Sequence, residues 1–186
     1  KNNNELPLIL WNHRWEYDKN PESFFEIIQD LSDKVVDFNL VVLGEEFNAE
    51  QPCFTLARTK LDKHILQFGY TDSFNEYAKW LWKADILPVT SNQDFFGSSI
   101  MEAVYCKTFP LLPSRLTYPE LFDQEKNPHL FYEDINDLAF KLNSLINNID
   151  KLRNQEFQHI AKEFDWIKMA PHYDNEYELM LQLTEK

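Results

Sequence analysis

The chain has 186 residues, 44% of them hydrophobic, and 18 Lys plus Arg stand against 31 Asp plus Glu for a formal charge of −13. That size and apolar content fit one compact domain with a sizeable core. The acidity excludes this segment as the main platform for nucleic acid, whose binding is dominated by Lys and Arg contacts to phosphate, although RNA can still be the substrate of a larger protein. Two cysteines, Cys53 and Cys106, lie far apart without CxxC spacing. They give no metal site and no disulfide framework, so a reducing cytoplasm is the expected compartment. No apolar run approaches membrane-spanning length and no signal peptide is evident, so no membrane partner is expected. Because the chain opens on Lys1 and a polar lead that runs straight into a strand, a fragment of a longer protein is expected.

In chain order, an apolar strand is expected over residues 6–11. The loop Trp11-Asn12-His13-Arg14-Trp15-Glu16-Tyr17-Asp18-Lys19-Asn20-Pro21 follows and opens a Pro-started helix over 21–32. A strand over 40–43 ends at Gly44, a helical or looped stretch begins at Ala49, and a strand over 65–68 ends at Gly69. A helix follows around 73–83, where Tyr77, Trp80, Leu81 and Ala84 keep helical spacing and are assigned to the core. Next come a strand over 86–89, a helix over 98–107, a strand over 109–112, a short helix over 118–122 and a short strand over 130–132. The acidic run Tyr132-Glu133-Asp134 reads as a helix start, and helices fill 136–164 and roughly 169–183. This alternation predicts a single α/β domain over 1–186, a parallel sheet with helices on both faces and ligands at the carboxyl ends of the strands.

The segment Asp94-Phe95-Phe96-Gly97-Ser98-Ser99-Ile100-Met101-Glu102-Ala103 joins such a strand end to a helix. Gly97 lets backbone approach a ligand, and Ser98 and Ser99 begin a helix whose free N–H groups and dipole favour an anion. One turn in, Glu102 can accept hydrogen bonds from a diol. A phosphate and neutral hydroxyls could thus be held side by side, as a nucleotide sugar requires, with no Walker or dinucleotide fingerprint in the chain. In the first loop, Arg14 offers a planar fork and Lys19 a mobile point charge that together could bracket a diphosphate. Alternatively, both pair with Glu16, Asp18 or Glu22 at the surface. Gly44 and Gly69 either bring backbone to a base or simply end strands. His64, His129, His159 and His172 keep no metal-ligand spacing. The stretch Arg115-Leu116-Thr117-Tyr118-Pro119-Glu120 either faces a partner or packs.

Arg14 and Lys19 at the first strand-to-helix turn, followed by Asp94 and Glu102 with Phe96-Gly97 between them, resemble the donor-binding C-terminal domain of family 4 retaining glycosyltransferases, which have the GT-B architecture. The aromatic string around Arg14, Val42-Leu43-Gly44-Glu45-Glu46-Phe47, Met101-Glu102-Ala103-Val104-Tyr105-Cys106 and Arg115-Leu116-Thr117-Tyr118-Pro119-Glu120-Leu121-Phe122 are similar to the tRNA-queuosine mannosyltransferase branch of that family. The resemblance implies a Rossmann-like donor domain whose last helix, about 169–183, crosses toward an N-terminal domain. It implies GDP-mannose as donor, queuosine in tRNA as acceptor through that other domain, and no metal or other cofactor. It implies that Arg14 and Lys19 are the catalytic cations on the diphosphate, that Glu102 holds the ribose hydroxyls, and that Asp94 contacts the sugar. Phe96, Gly97 and Ser98 form the turn whose amides approach sugar and phosphate, and Gly44 and Gly69 lie where the base is recognised. The family usually has Glu where this chain has Asp94, and Gly where it has His13, to which no role is assigned. A lipid, polysaccharide or protein acceptor, and a binding module without catalysis, stay open as alternatives, as does the oligomeric state.

Overall fold

The computed structural model describes residues 5–44 and 51–184. Glu45, Glu46, Phe47 and the start of the stretch expected from Ala49 lie outside them. Six strands form one parallel sheet in the order β3-β2-β1-β4-β5-β6. They are β1 (Leu8–Trp11), β2 (Asn39–Leu43), β3 (Ile65–Gly69), β4 (Ile86–Pro88), β5 (Phe109–Pro113) and β6 (Phe131–Tyr132). The strands β1, β4 and β5 are buried at every position, as continuous apolar runs must be when helices cover both faces of a parallel sheet. All six fall where the apolar runs predicted them.

The connecting helices are α1 (Pro21–Asp33), α2 (Pro52–Lys60), α3 (Phe74–Lys83), α4 (Ser98–Tyr105) and α5 (Tyr118–Leu121). They are followed by α6 (Ile135–Asn147), α7 (Ile149–Arg153), α8 (Gln158–Lys162) and α9 (Trp166–Thr184). One layer packs α1 against α2 and α6, and another packs α4 against α3 and α8. In α1 the buried Phe24, Phe25, Ile27, Ile28 and Leu31 make a single apolar stripe. Trp15 stacks on Phe54 at 4.2 Å and donates its indole N–H to the Leu43 carbonyl at 3.2 Å, which pins the first loop onto the end of β2. His64 stacks on Phe38 and reaches the Phe38 carbonyl and Ser32 Oγ, a packing role.

Two helical expectations change. The stretch 136–164 is three helices, because Asn147 and Asn148 turn their side-chain amides back onto the carbonyls of Asn143 and Ser144 and the first helix stops there. The last helix starts at Trp166 and carries Pro171 inside it. Asp165 caps it by accepting from the Ile167 amide at 3.0 Å, so the proline does not mark the start. Asp134 caps α6 through the amides of Asn136 and Asp137, as the acidic run predicted. Along α9 only Met169 and Ala170 are even half-buried among the residues whose burial is described. No described helix is long and apolar enough to cross a membrane.

Candidate functional site

The sheet order reverses at β1, whose neighbours are β2 and β4. At such a switch point the loops after the two central strands part and leave a crevice at their carboxyl ends. Here those loops are residues 12–20 and 89–97, and they are stitched together. The Asn92 amide donates to the Asp18 carbonyl at 2.8 Å, and Thr90 Oγ1 donates to the carbonyls of Lys19 and Asn20. From the far side Arg115 donates to the carbonyls of Thr90 and Ser91 and to Asn92 Oδ1. It is therefore a packing residue of the second loop.

Lys19 and Arg14 are brought to the same loop in unlike states. Lys19 is buried, and its ammonium donates to the Gln93 carbonyl at 2.8 Å and pairs with Asp18 at 3.1 Å and Asp94 at 3.5 Å. Arg14 is exposed and, among the described residues, pairs at the surface with Glu16, at 3.2 Å. The surface pairing foreseen for these cations occurs for Arg14 with Glu16, whereas Lys19 meets Asp18 in a buried setting. Only the guanidinium is open to an incoming ligand.

Asp94 is engaged on both oxygens. Oδ1 accepts from the amides of Phe95 and Gly97, each at 3.1 Å, while Oδ2 accepts from the Tyr118 hydroxyl at 3.1 Å and from Lys19. Such a turn suits Asp, whose short side chain here bonds its own backbone one and three residues on. Burial and the adjacent carboxylate push the Tyr118 phenol well up, so it stays a donor. Gly97 completes the turn at φ +71°, and α4 begins at Ser98 with its first amides lacking intrahelical partners. Gly44 and Gly69 both end strands at positive φ. A Cβ on Gly44 would sit 2.5 Å from the His13 carbonyl, whereas one on Gly69 would meet nothing within 4 Å.

Between these parts lie two adjoining cavities. One, of about 340 Å³, is lined by Asn12, His13, Arg14, Gly44, Tyr70 and Thr71 among others. The second, about 460 Å³, is walled largely by apolar side chains such as Leu81, Trp82 and Phe164, and also includes Phe96, Ser98 and Glu102. Phe74 and Tyr77 line both. Glu102 is exposed and accepts from the Tyr77 hydroxyl at 2.7 Å.

Three residues here escaped the sequence reading. Tyr77, assigned to the core on spacing alone, is half-buried with its hydroxyl at the cavity wall; of its stripe only Leu81 and Ala84 are core. Asn12 is buried and donates to the Ser99 carbonyl at 2.8 Å and to the Tyr77 hydroxyl at 3.3 Å, while its Oδ1 has no partner among the described residues. His13 is 2% exposed, 3.4 Å from Ser99 Oγ through Nδ1, and its Nε2 has no partner among the described residues. Burial first and the Lys19 charge second pull its pKa down to about 4, against the opposing pull of Asp94 and Asp18. It is a neutral imidazole at pH 7. A conspicuous Asn-His pair directly after a buried strand was the available signal for two of the three.

Residues 1–163 match the family described as glycosyl transferases group 1. The chain is 32% identical over 169 residues to the tRNA-queuosine alpha-mannosyltransferase of Drosophila melanogaster, covering 89% of this chain and 44% of that protein. It is 30% identical over 180 residues to a probable sucrose-phosphate synthase of Thermosipho melanesiensis, covering 92% and 41%. The chain thus spans less than half the length of these relatives. Among solved structures it resembles the sucrose-phosphate synthase of Thermosynechococcus elongatus, with a TM-score of 0.76 at 17% identity, covering 96% of this chain and 46% of that one. It also resembles the C-terminal domain of a group 1 glycosyl transferase from Francisella tularensis, with a TM-score of 0.69 at 24% identity and 84% of each chain covered. These two likenesses speak to the fold.

Proposed function

The chain belongs to the glycosyl transferases of group 1, and from that premise we propose that it is the donor-binding half of a retaining glycosyltransferase that passes mannose from GDP-mannose to queuosine in tRNA. One observation carries the donor side of this reading. The loops after β1 and β4 bring an accessible guanidinium, a helix amino end and an exposed carboxylate to two cavities that share a wall at Phe74 and Tyr77. Those are the groups a diphosphate next to a ribose requires.

As the glycosidic bond breaks, negative charge builds on the departing diphosphate. Arg14 and the amino end of α4 are preorganised where that charge develops. Lys19 acts from behind, adding positive potential beneath the loop while its own bonds hold residues 12–20 against residues 89–97. Glu102 accepts from the ribose hydroxyls. Asp94 shapes the Phe96-Gly97-Ser98 turn by taking the Gly97 amide itself, so that the Ser98 amide at the start of α4 faces the sugar and phosphate. With both oxygens taken by protein donors, Asp94 is poorly placed to attack carbon, in keeping with a same-face transfer that uses no carboxylate nucleophile and unlike the paired acids of a glycoside hydrolase.

Mannose and queuosine rest on the 32% identical Drosophila protein. The net charge of −13 supports a reading in which the tRNA-binding surface is carried by another part of the enzyme. Nearly equal identity to a protein named as a probable sucrose-phosphate synthase favours, as a second reading, the same donor fold serving a different sugar and acceptor.

Calorimetric titration of the intact protein with GDP, UDP and ADP, then with GDP-mannose, separates the two. Selective GDP binding is expected. Arg14→Ala should weaken it by about tenfold or more, the worth of a charge-assisted contact, while changing stability by less than about 0.5 kcal/mol because Arg14 is exposed and its pair with Glu16 lies at the surface. A preference for UDP would overturn the mannosyl assignment and leave the donor fold.

A further inference from the structure

Three residues from three elements form a hydrogen-bonded chain at the wall between the cavities. Asn12, just after β1, donates to the Tyr77 hydroxyl at 3.3 Å, and Tyr77, on α3, donates in turn to Glu102 Oε2, on α4, at 2.7 Å. Asn12 is itself fixed, because it is buried and the same amide group donates to the Ser99 carbonyl at 2.8 Å. A carboxylate on an exposed helix face ordinarily samples several rotamers, and ordering it for a ligand costs binding free energy. Here one oxygen is anchored in advance, and the remaining acceptor capacity is left for a ligand. Burial and the hydrogen bond to Glu102 both raise the Tyr77 pKa, so the phenol donates throughout the physiological range. A phenylalanine would fill the same apolar space, which leaves the hydroxyl without a packing reason.

We infer that Tyr77, held by Asn12, is a positioning residue that orients the Glu102 carboxylate toward a vicinal diol and so sets the preference of this site for ribonucleotides over nucleotides that lack those hydroxyls. The inference rests on the donor reading above, in which Glu102 meets the ribose. The simpler alternative is that the Tyr77–Glu102 bond only braces α3 against α4.

The test is a comparison of GDP with 2′,3′-dideoxy-GDP on the intact protein, with the UDP pair run in parallel so that base preference drops out of the ratio. Wild type, Tyr77→Phe, Glu102→Gln and the double variant are each measured. The wild type should favour the ribonucleotide, and Glu102→Gln should remove most of that preference. Tyr77→Phe should reduce it about tenfold, as expected for a hydrogen bond to a charged group, with affinity for the dideoxy nucleotide unchanged, which also reports an intact fold. The double variant should be no worse than Glu102→Gln alone, since Tyr77 acts only through the carboxylate. A Tyr77→Phe protein that binds both nucleotides equally more weakly, or that keeps the wild-type ratio, overturns the positioning role and leaves Glu102 as the diol acceptor. A Glu102→Gln protein that keeps the ratio, or a wild type that binds no nucleotide, overturns the donor reading and this inference with it.

Discussion

Two buried ion pairs sit at opposite ends of the sheet, and they are built to different standards. At the amino ends of the strands, Asp85 takes two bonds from Arg153, at 3.0 Å from Nε and 2.8 Å from Nη2, and a third from the Leu8 amide at 2.9 Å. Arg153 also donates to the Glu5 carbonyl at 3.1 Å, and both side chains are almost wholly buried. At the carboxyl ends, Lys19 and Asp94 meet at 3.5 Å, somewhat more exposed, beside Asn12 Oδ1 and His13 Nε2, which have no hydrogen-bond partner among the described residues. A planar guanidinium saturates a carboxylate in one geometry, whereas an ammonium tolerates several. The lower pair locks the last strand-helix units onto β1 and β4. The upper pair holds two loops together at a rim that keeps unspent hydrogen-bonding capacity, which is where a ligand has something to gain.

If that contrast is right, the largest loss should come from the lower end. Asp85→Ala strips the buried guanidinium of its partner and should cost about 3–5 kcal/mol in urea unfolding, so a loss below about 1 kcal/mol would break the comparison. His13 should produce the next largest effect, seen as pH dependence. Its folded pKa, about 4, lies below the ordinary 6.5, so the unfolded state binds the proton first and stability falls as pH drops from about 6.5 to about 4. The sum of that loss is up to about 3 kcal/mol, present in full only below the window. His13→Gln should flatten the slope in acid-unfolding curves.

Backbone at the two ligand-side strand ends offers a finer contrast. Gly44→Ala adds steric contact with the His13 carbonyl to the cost of positive φ and should lose about 2–3 kcal/mol, while Gly69→Ala, with open space around it, should lose about 1 kcal/mol. Equal melting shifts for the two would remove the close approach of Gly44 to the first loop as an explanation. The smallest effect belongs to the upper ion pair. Asp94→Asn keeps an acceptor for the Gly97 amide and gives up the Oδ2 contacts to the Tyr118 hydroxyl and to Lys19, whose ammonium keeps Asp18 and the Gln93 carbonyl, so about 1 kcal/mol is expected by thermal unfolding. A loss matching that of Asp85→Ala would show the two ends to be equally bolted.

Much of this was legible in the chain itself. Parallel strands buried on both faces must be written as unbroken apolar runs, so Leu8–Trp11, Asn39–Leu43 and Phe109–Pro113 announce themselves. Gly97 before a helix and Asp134 before another are local signals, fulfilled by local bonds. The breaks between the helices within 136–164 were hidden because they fall at Asn147, Asn148 and Asn154, whose side chains choose backbone partners four residues back. The site divides in the same way. That Arg14 and Lys19 lie in the loop after β1, and Asp94 and Glu102 beyond β4 at the neighbouring strand end, followed from the alternation of strands and helices and the rule for strand ends. That Arg14 is open while Lys19 is enclosed did not, since both are simply cations in one loop until the loop after β4 closes over one of them.

By itself, then, the sequence determined the α/β alternation, the family and the four loops that could meet a ligand, because periodicity, glycine placement and helix caps act over a few residues. Only the tertiary structure decided which partners those loops supply to one another. The Asp85–Arg153 bolt joins residues 68 apart, Lys19–Asp94 joins residues 75 apart and Asn12–Tyr77 joins residues 65 apart. Burial and charge pairing at such separations are properties of the assembled sheet, which alone sets the distance between one strand end and the next.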